Sequence, residues 1–241
     1  MPCWHKVWYS HIRHKPKNEQ PTDGLLVFLC IFATMNRSPI AIRLSRILSW
    51  SLHPLVLPLY LLLLLFSQTT FALFSPAVKW YLCGTVLLYG TLLPALCVGV
   101  MRLRGWIHDL RLADRRERII PLICGAACYL LAASTIGRVE AALFLRKFML
   151  AAALCCLFCA ATSTRWQVSL HLTAMGSAVA LLVVMNILAI PRMFLPMLWC
   201  IIGAGALASA RLMLRRHTPL QLAIGFAGGF GLTWVAMFFL K

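Results

Sequence analysis

The sequence predicts an all-α fold, a polytopic transmembrane helical bundle of six or seven spans. Three observations carry that expectation. Apolar residues make up 61% of the 241-residue chain, and charged residues only 12%. Apolar runs recur at about the 20-residue length that crosses the hydrocarbon of a bilayer. The connections between these runs are short, so no soluble domain can be built from them.

Residues 1–34 differ in kind from the rest. The stretch "MPCWHKVWYSHIRHKPKNEQPTDG" is polar and mixed, and Leu25–Thr34 is apolar over only about ten residues, too few to span. That run resembles a signal-peptide core, although Thr34-Met35-Asn36-Arg37 lacks the small-residue pattern of a cleavage site. Met35 reads better as the natural start, because "MNRSPIAIRLSRILSW" opens as a basic amphipathic interfacial helix leading into the first span. The expectation is a poorly ordered or mis-started extension over 1–34 and one bundle domain over 35–241.

Spans are expected at 52–73, 78–101, 119–137, 141–163, 167–189, 193–214 and 219–240. Ser75-Pro76 and Ile190-Pro191-Arg192 mark tight turns, and only 102–118 is long and polar. Most of the ten cysteines lie in the apolar runs and read as small fillers. Cys156-Leu-Phe-Cys159 has redox or zinc spacing, but it stands mid-span with no second pair and no nearby histidine.

The formal net charge of +17 suits membrane lipids with anionic headgroups as partners. No nucleic acid is expected, because the basic residues sit in short loops and no compact basic domain exists to form a binding surface. Counting spans puts "RGWIHDLRLADRRERIIP", "TRWQVSLH" and "ARLMLRRHTPLQ" on one membrane face. Most of the 23 Lys and Arg fall there too, the exceptions being Lys79, Arg138, Arg146, Lys147, Arg192 and Lys241. The positive-inside rule votes for that face as cytoplasmic. Arginines held there for chemistry bias the same count, so the orientation stays open.

Each polar stretch is open to two readings. In the last, Thr218-Pro219-Leu220-Gln221 has the form of a helix start, with Thr as N-cap, Pro at the first helical position and Gln reaching back. His217 then stands where free N–H groups and the helix dipole favour a phosphate. Arg211, six residues upstream, has the planar fork to clamp one. Read as chemistry, His217 is a nucleophile; read as structure alone, the arginines snorkel to headgroups and His217 is an interfacial residue.

In Val168-Ser169-Leu170-His171 a hydroxyl and a second imidazole open the fifth span. A second histidine can protonate a leaving oxygen. Equally, Ser169 is an ordinary N-terminal cap and His171 a satisfied interfacial ring. In Asp114-Arg115-Arg116-Glu117-Arg118-Ile119-Ile120-Pro121, arginines can neutralise transferring phosphoryl oxygens. The other reading is a solvated loop paired with Asp109, Asp114 and Glu117.

Together these residues resemble the membrane-bound type 2 phosphatidic acid phosphatase family, whose signature is K-x6-R-P, then P-S-G-H, then S-R-x5-H-x3-D. The likeness covers about residues 45–240. Ser209-Ala210-Arg211-x5-His217 keeps the Arg-to-His spacing, Ser169-Leu170-His171 keeps the middle serine and histidine, and Arg111-x6-Arg118 keeps the first spacing. The resemblance implies His217 as nucleophile, His171 as leaving-group acid, and Arg211 as a phosphate clamp. It places Arg111, Arg115, Arg118, Ser169 and Gln221 around the substrate. It implies a lipid phosphate or diphosphate substrate, a phosphohistidine intermediate, no cofactor and no metal.

The departures bear on activity. Gln221 stands where the family has aspartate, Arg111 replaces lysine, proline follows Arg118 at three residues instead of one, and "VSLH" replaces "PSGH". The "DRRERxxP" and "HTxxQ" patterns are similar to a divergent bacterial branch of the family, which implies residence in the inner (cytoplasmic) membrane. Glutamine accepts a hydrogen bond from the imidazole but does not offset its developing charge. A catalytically weak or inactive lipid-phosphate-binding protein is therefore the alternative. A prenyltransferase-like enzyme with metal on Asp109, Asp114 and Glu117 is a third class, but it needs a second acidic cluster, and Glu140 lies on the opposite face.

Overall fold

The computed structural model describes residues 38–108, 116–139 and 142–239. The extension 1–34 therefore lies outside the described residues, as do Arg111 and Arg115. The described residues of Asn36–Lys241 belong to one compact unit. They form eight α-helices, and among them there is no strand.

Helix α1 (Pro39–Ser51) starts where the Ser38 side chain accepts the Ala41 N–H at 3.1 Å and Pro39 fixes the first helical turn. Its polarity is the reverse of a soluble surface helix. Ile40, Leu44, Ile47 and Trp50 are exposed, whereas Ser45 and Ser49 are buried. The inward serines are satisfied locally, Ser49 Oγ by the Ser45 carbonyl at 2.8 Å and Ser45 Oγ by Met213 Sδ at 3.6 Å. The expected amphipathic helix is present, with its apolar face turned outward.

The expected first span is shorter than 52–73. Helix α2 (Leu57–Gln68) has 12 residues, about 18 Å of axis against the ~30 Å of hydrocarbon. Pro54 cannot donate, and at this break His53 Nδ1 accepts the Leu55 N–H at 3.3 Å while Thr91 Oγ1 donates to the Leu55 carbonyl at 2.6 Å. At the far end Thr69 caps a 3₁₀ turn, Thr70–Leu73, by accepting the Phe71 N–H. Side-chain hydrogen bonding, local at the far end and from Thr91 at the leading break, thus shortens the helix from both sides.

Six helices are long and apolar enough to cross a membrane: α3 (Pro76–Leu103), α4 (Ile119–Ile136), α5 (Leu143–Ser163), α6 (Leu170–Ile187), α7 (Phe194–Met213) and α8 (Pro219–Phe239). Helix α3 carries a π turn at Leu88–Leu92. Pro94 follows it: its missing N–H removes the α-helical donor to the Gly90 carbonyl, and its ring needs room on that side. Tyr129 of α4 donates its hydroxyl to that carbonyl at 3.4 Å.

Helix α6 is the centre of the bundle, 67% buried over its apolar window against 22% for α3 and α7. It packs closest on α8, and glycines make that approach feasible. A methyl at Gly176 would meet the backbone of Phe226, one at Gly229 the backbone of Thr173, and one at Gly225 the Ser169 carbonyl at 2.9 Å. Gly225-x3-Gly229 is the small-x3-small spacing that lets helices touch backbone to backbone in lipid. Across the same seam Ser177 and Thr233 share a 2.6 Å hydrogen bond. The fold is that of a polytopic α-helical integral membrane protein.

Candidate functional site

The chain reverses tightly between α7 and α8, and that reversal builds the core of the site. Arg215, in the left-handed region at φ +52°, follows the end of α7. The Arg216 N–H returns to the Arg211 carbonyl at 3.1 Å and the Arg215 N–H to Leu212 at 2.9 Å, a paired closure that usually has glycine at the left-handed position. Two residues later α8 opens with the anticipated capping box. Gln221 N–H donates to Thr218 Oγ1 at 3.3 Å, and Thr218 N–H donates to Gln221 Oε1 at 3.0 Å. The six-residue turn folds His217 back onto Arg211.

The hydrogen bonds of His217 fix its tautomer. A guanidinium only donates, so His217 Nε2, 3.4 Å from Arg211 Nη2, is an acceptor. The ring proton then lies on Nδ1, which donates to Gln221 Oε1 at 3.3 Å. Burial, then Arg211 and Arg118, push the His217 pKa down to about 4 against the Gln221 hydrogen bond and with a further push from Arg216. At neutral pH this imidazole is uncharged, with a lone pair on Nε2 beside a cation.

Helix α6 brings the second group of residues to the same place. Its first turn is held against α8 by the Ser169 N–H on the Gln221 carbonyl, at 3.4 Å. Ser169 occupies the N-cap position of α6, yet its side chain caps nothing. Its Oγ is buried and has no hydrogen-bond partner among the described residues, and the same is true of Arg211 Nε. The ordinary-cap reading of Ser169 therefore does not hold. Arg118, at the N-terminus of α4, is only 5% exposed and donates to the Val168 carbonyl at 3.2 Å. Burial works against its charge, and no carboxylate pairs with it among the described residues. The neighbouring Glu117 is turned to His108, at 2.7 Å from its Nδ1.

His171 completes the cluster through α1. Its Nε2 is 3.2 Å from the Ser49 carbonyl, and because a carbonyl only accepts, that nitrogen carries a proton. The His53 ring stands edge-on to it, with centroids 5.3 Å apart and planes at 87°. Burial and then Arg211 lower the His53 pKa. His53 and Ser49 were missed from the sequence. The available signal was an ionisable residue at the mouth of an apolar run, immediately before a proline.

The structure thus brings together Arg118, Ser169, His171, Arg211, His217 and Gln221 from three separate stretches, and adds His53 from a fourth. Arg111 and Arg115 lie outside the described residues, and so do Asp109, Asp114 and Glu140, which the metal-dependent alternative would need. What converges is a buried end of the bundle with two arginines, an unpaired hydroxyl and neutral imidazole, a donor set that fits an oxyanion. Fold and site together define an integral membrane protein with a cationic, histidine-bearing cluster at one end of its bundle. No family model, no curated protein and no solved structure matches the chain.

Proposed function

We propose that this cluster binds the phosphate of a membrane lipid and transfers its phosphoryl group through His217. The observation that carries the reading is the pair of buried orphans, Ser169 Oγ and Arg211 Nε, beside a neutral imidazole. Two buried donors without partners cost stability, and a phosphate oxygen is the acceptor their chemistry suits. Arg118 adds a second buried cation with no carboxylate on it among the described residues.

In this reading the His217 Nε2 lone pair attacks phosphorus, an N–P bond forms, and the bond from phosphorus to the ester oxygen breaks. The electron pair leaves with that oxygen, which takes a proton from His171 after the negative charge of the bound phosphate has drawn a second proton from solvent onto that ring. With Nε2 held on Ser49, the proton given up is the one on Nδ1. Water then attacks the phosphohistidine, its proton passing to the just-vacated Nδ1 of His171, the N–P bond breaks with its electron pair returning to Nε2 of His217, and phosphate is released. Arg118, Arg211 and Ser169 offset charge on the equatorial oxygens throughout. The resemblance to type 2 phosphatidic acid phosphatases supports the same roles.

A second reading, binding without turnover, is favoured by Gln221. No carboxylate contacts the His217 ring among the described residues, so nothing there offsets an imidazolium or a phosphorylated ring. One assay separates the two. Purified protein is offered phosphatidate, phosphatidylglycerophosphate and a polyprenyl diphosphate, and phosphate release is measured beside His217→Ala. Release that vanishes in the variant supports transfer. Vanadate-dependent thermal stabilisation with no release supports binding alone, and the absence of both release and stabilisation overturns both readings.

A further inference from the structure

Beside the α1–α2 junction and the first turns of α6 lies a cavity of about 40 Å³. Its wall includes Pro54, Leu57, Tyr129, Ala152, Leu170 and Ser177, from the α1–α2 junction, α2, α4, α5 and α6. Pro54 and Leu170 are the chain neighbours of His53 and His171, so its rim comes within one residue of the site on two separate elements. Ser177 lies two turns further down α6, about 10 Å along the axis.

The lining hydroxyls are already committed. Tyr129 donates to Gly90, Thr173 to the Ser169 carbonyl at 3.0 Å, and Ser177 pairs with Thr233. A cavity whose polar groups are satisfied by the protein offers water little, and such cavities take apolar guests. By the same measure 40 Å³ holds about three water-sized groups, the bulk of a short stretch of hydrocarbon rather than a whole chain. The shortness of α2 makes the space: its leading break is pinned by Thr91, 15 residues into α3, so proline-broken backbone roofs the cavity where a full span would fill it.

We propose that this cavity seats the first hydrocarbon segment of the lipid whose phosphate the cluster holds. The ligand class is then a phosphate-headed amphiphile whose chain enters the bundle beside α6. The inference rests on the phosphate reading of the cluster. Occupancy by the chain also explains why small side chains, Ala152 and Ala174, face this space.

The test is photolabelling of the detergent-solubilised full chain with an alkyl phosphate carrying a diazirine a few carbons from the phosphate, and with the alcohol of the same chain. Vanadate binding, read as a thermal shift, independently reports the headgroup site. The proposal expects label on Ala152, Cys155 or Ala174, competed by vanadate and reduced at least fivefold by Ala152→Leu. Leu157→Ala, on the outward face of the same helix at 42% exposure, should label as wild type. A melting curve confirms that each variant is folded. Label confined to outward residues such as Leu157 and Leu131 while vanadate still binds overturns the cavity proposal and leaves the phosphate reading intact. Cavity label from both probes that vanadate does not compete overturns the coupling of head and chain. Absence of vanadate binding with cavity label from the alcohol alone identifies failure of the phosphate reading instead.

Discussion

Gln221 Oε1 accepts two hydrogen bonds at once, from His217 Nδ1 at 3.3 Å and from the Thr218 N–H at 3.0 Å. Capping the helix and orienting the imidazole are therefore one interaction, performed by one oxygen. Removing it by Gln221→Ala should cost about 1 kcal/mol of helix capping and also lower any phosphate release. The informative change is Gln221→Glu, which keeps the reach of the side chain and adds the missing charge. If transfer occurs, turnover should rise by up to about two orders of magnitude, each tenfold being about 1.4 kcal/mol. Gln221→Asp should give part of that gain, limited by its shorter reach. Unchanged turnover in both acidic variants, with only the melting temperature moved, would assign Gln221 to capping alone.

The pH dependence has a definite sign. His217 is held at about 4 against a reference of 6.5, so between those values the unfolded chain takes up a proton that the folded chain refuses. Stability should be complete above about pH 6.5 and should fall as pH drops toward 4, by roughly 1–2 kcal/mol after allowance for partial exposure. His53, also lowered, contributes in the same direction. ¹⁵N spectra of histidine-labelled protein should show His217 neutral with its proton on Nδ1 at pH 7. A cationic His217 at pH 6 in the ligand-free protein would remove the basis for a nucleophilic Nε2.

Arg118 should trade stability against binding. It is buried, it donates only one hydrogen bond among the described residues, and no carboxylate neutralises it there. Replacing such a cation by an apolar side chain of similar length is often neutral or stabilising by about 1–4 kcal/mol. Arg118→Met should therefore keep or raise the melting temperature while lowering vanadate affinity at least tenfold. A structural arginine would give the opposite pattern, a destabilised protein that still binds the anion.

Much of this was legible in the sequence because lipid imposes strong rules. The long spans appear within a few residues of their expected limits, since apolar length alone decides them. The Thr218–Gln221 capping box was readable because its spacing is local. The 52–73 segment was misjudged because hydropathy does not register that Pro54 breaks the helix or that Thr91, far along the chain, binds the exposed carbonyl. His53 was hidden for the same reason, as its partner His171 is 118 residues away along the chain and only packing joins them. The Ser169 side chain could not be judged at all from spacing, because a capping serine and an orphaned one look alike until the acceptor geometry is known.

The last prediction tests whether the α6–α8 seam holds the site together. Gly225, Gly229 and Gly176 let the two backbones touch, and the Ser169 N–H bond to the Gln221 carbonyl lies at the upper end of that seam. A methyl group at Gly229 would collide with the Thr173 backbone, which cannot move aside as a side chain can, so the helices must separate. Gly229→Ala should destabilise by about 1–3 kcal/mol, as an overpacked contact in a close helix pair. It should also pull Ser169 and His171 away from His217 and abolish vanadate binding. Gly231 provides the control on the same helix: nothing lies within 4 Å of its would-be methyl. Gly231→Ala should be neutral or stabilising by up to about 1 kcal/mol, because alanine is the better helix former. Equal effects from the two substitutions would mean that helix propensity alone is being measured, and that the seam does not set the distance between the α6 and α8 halves of the site.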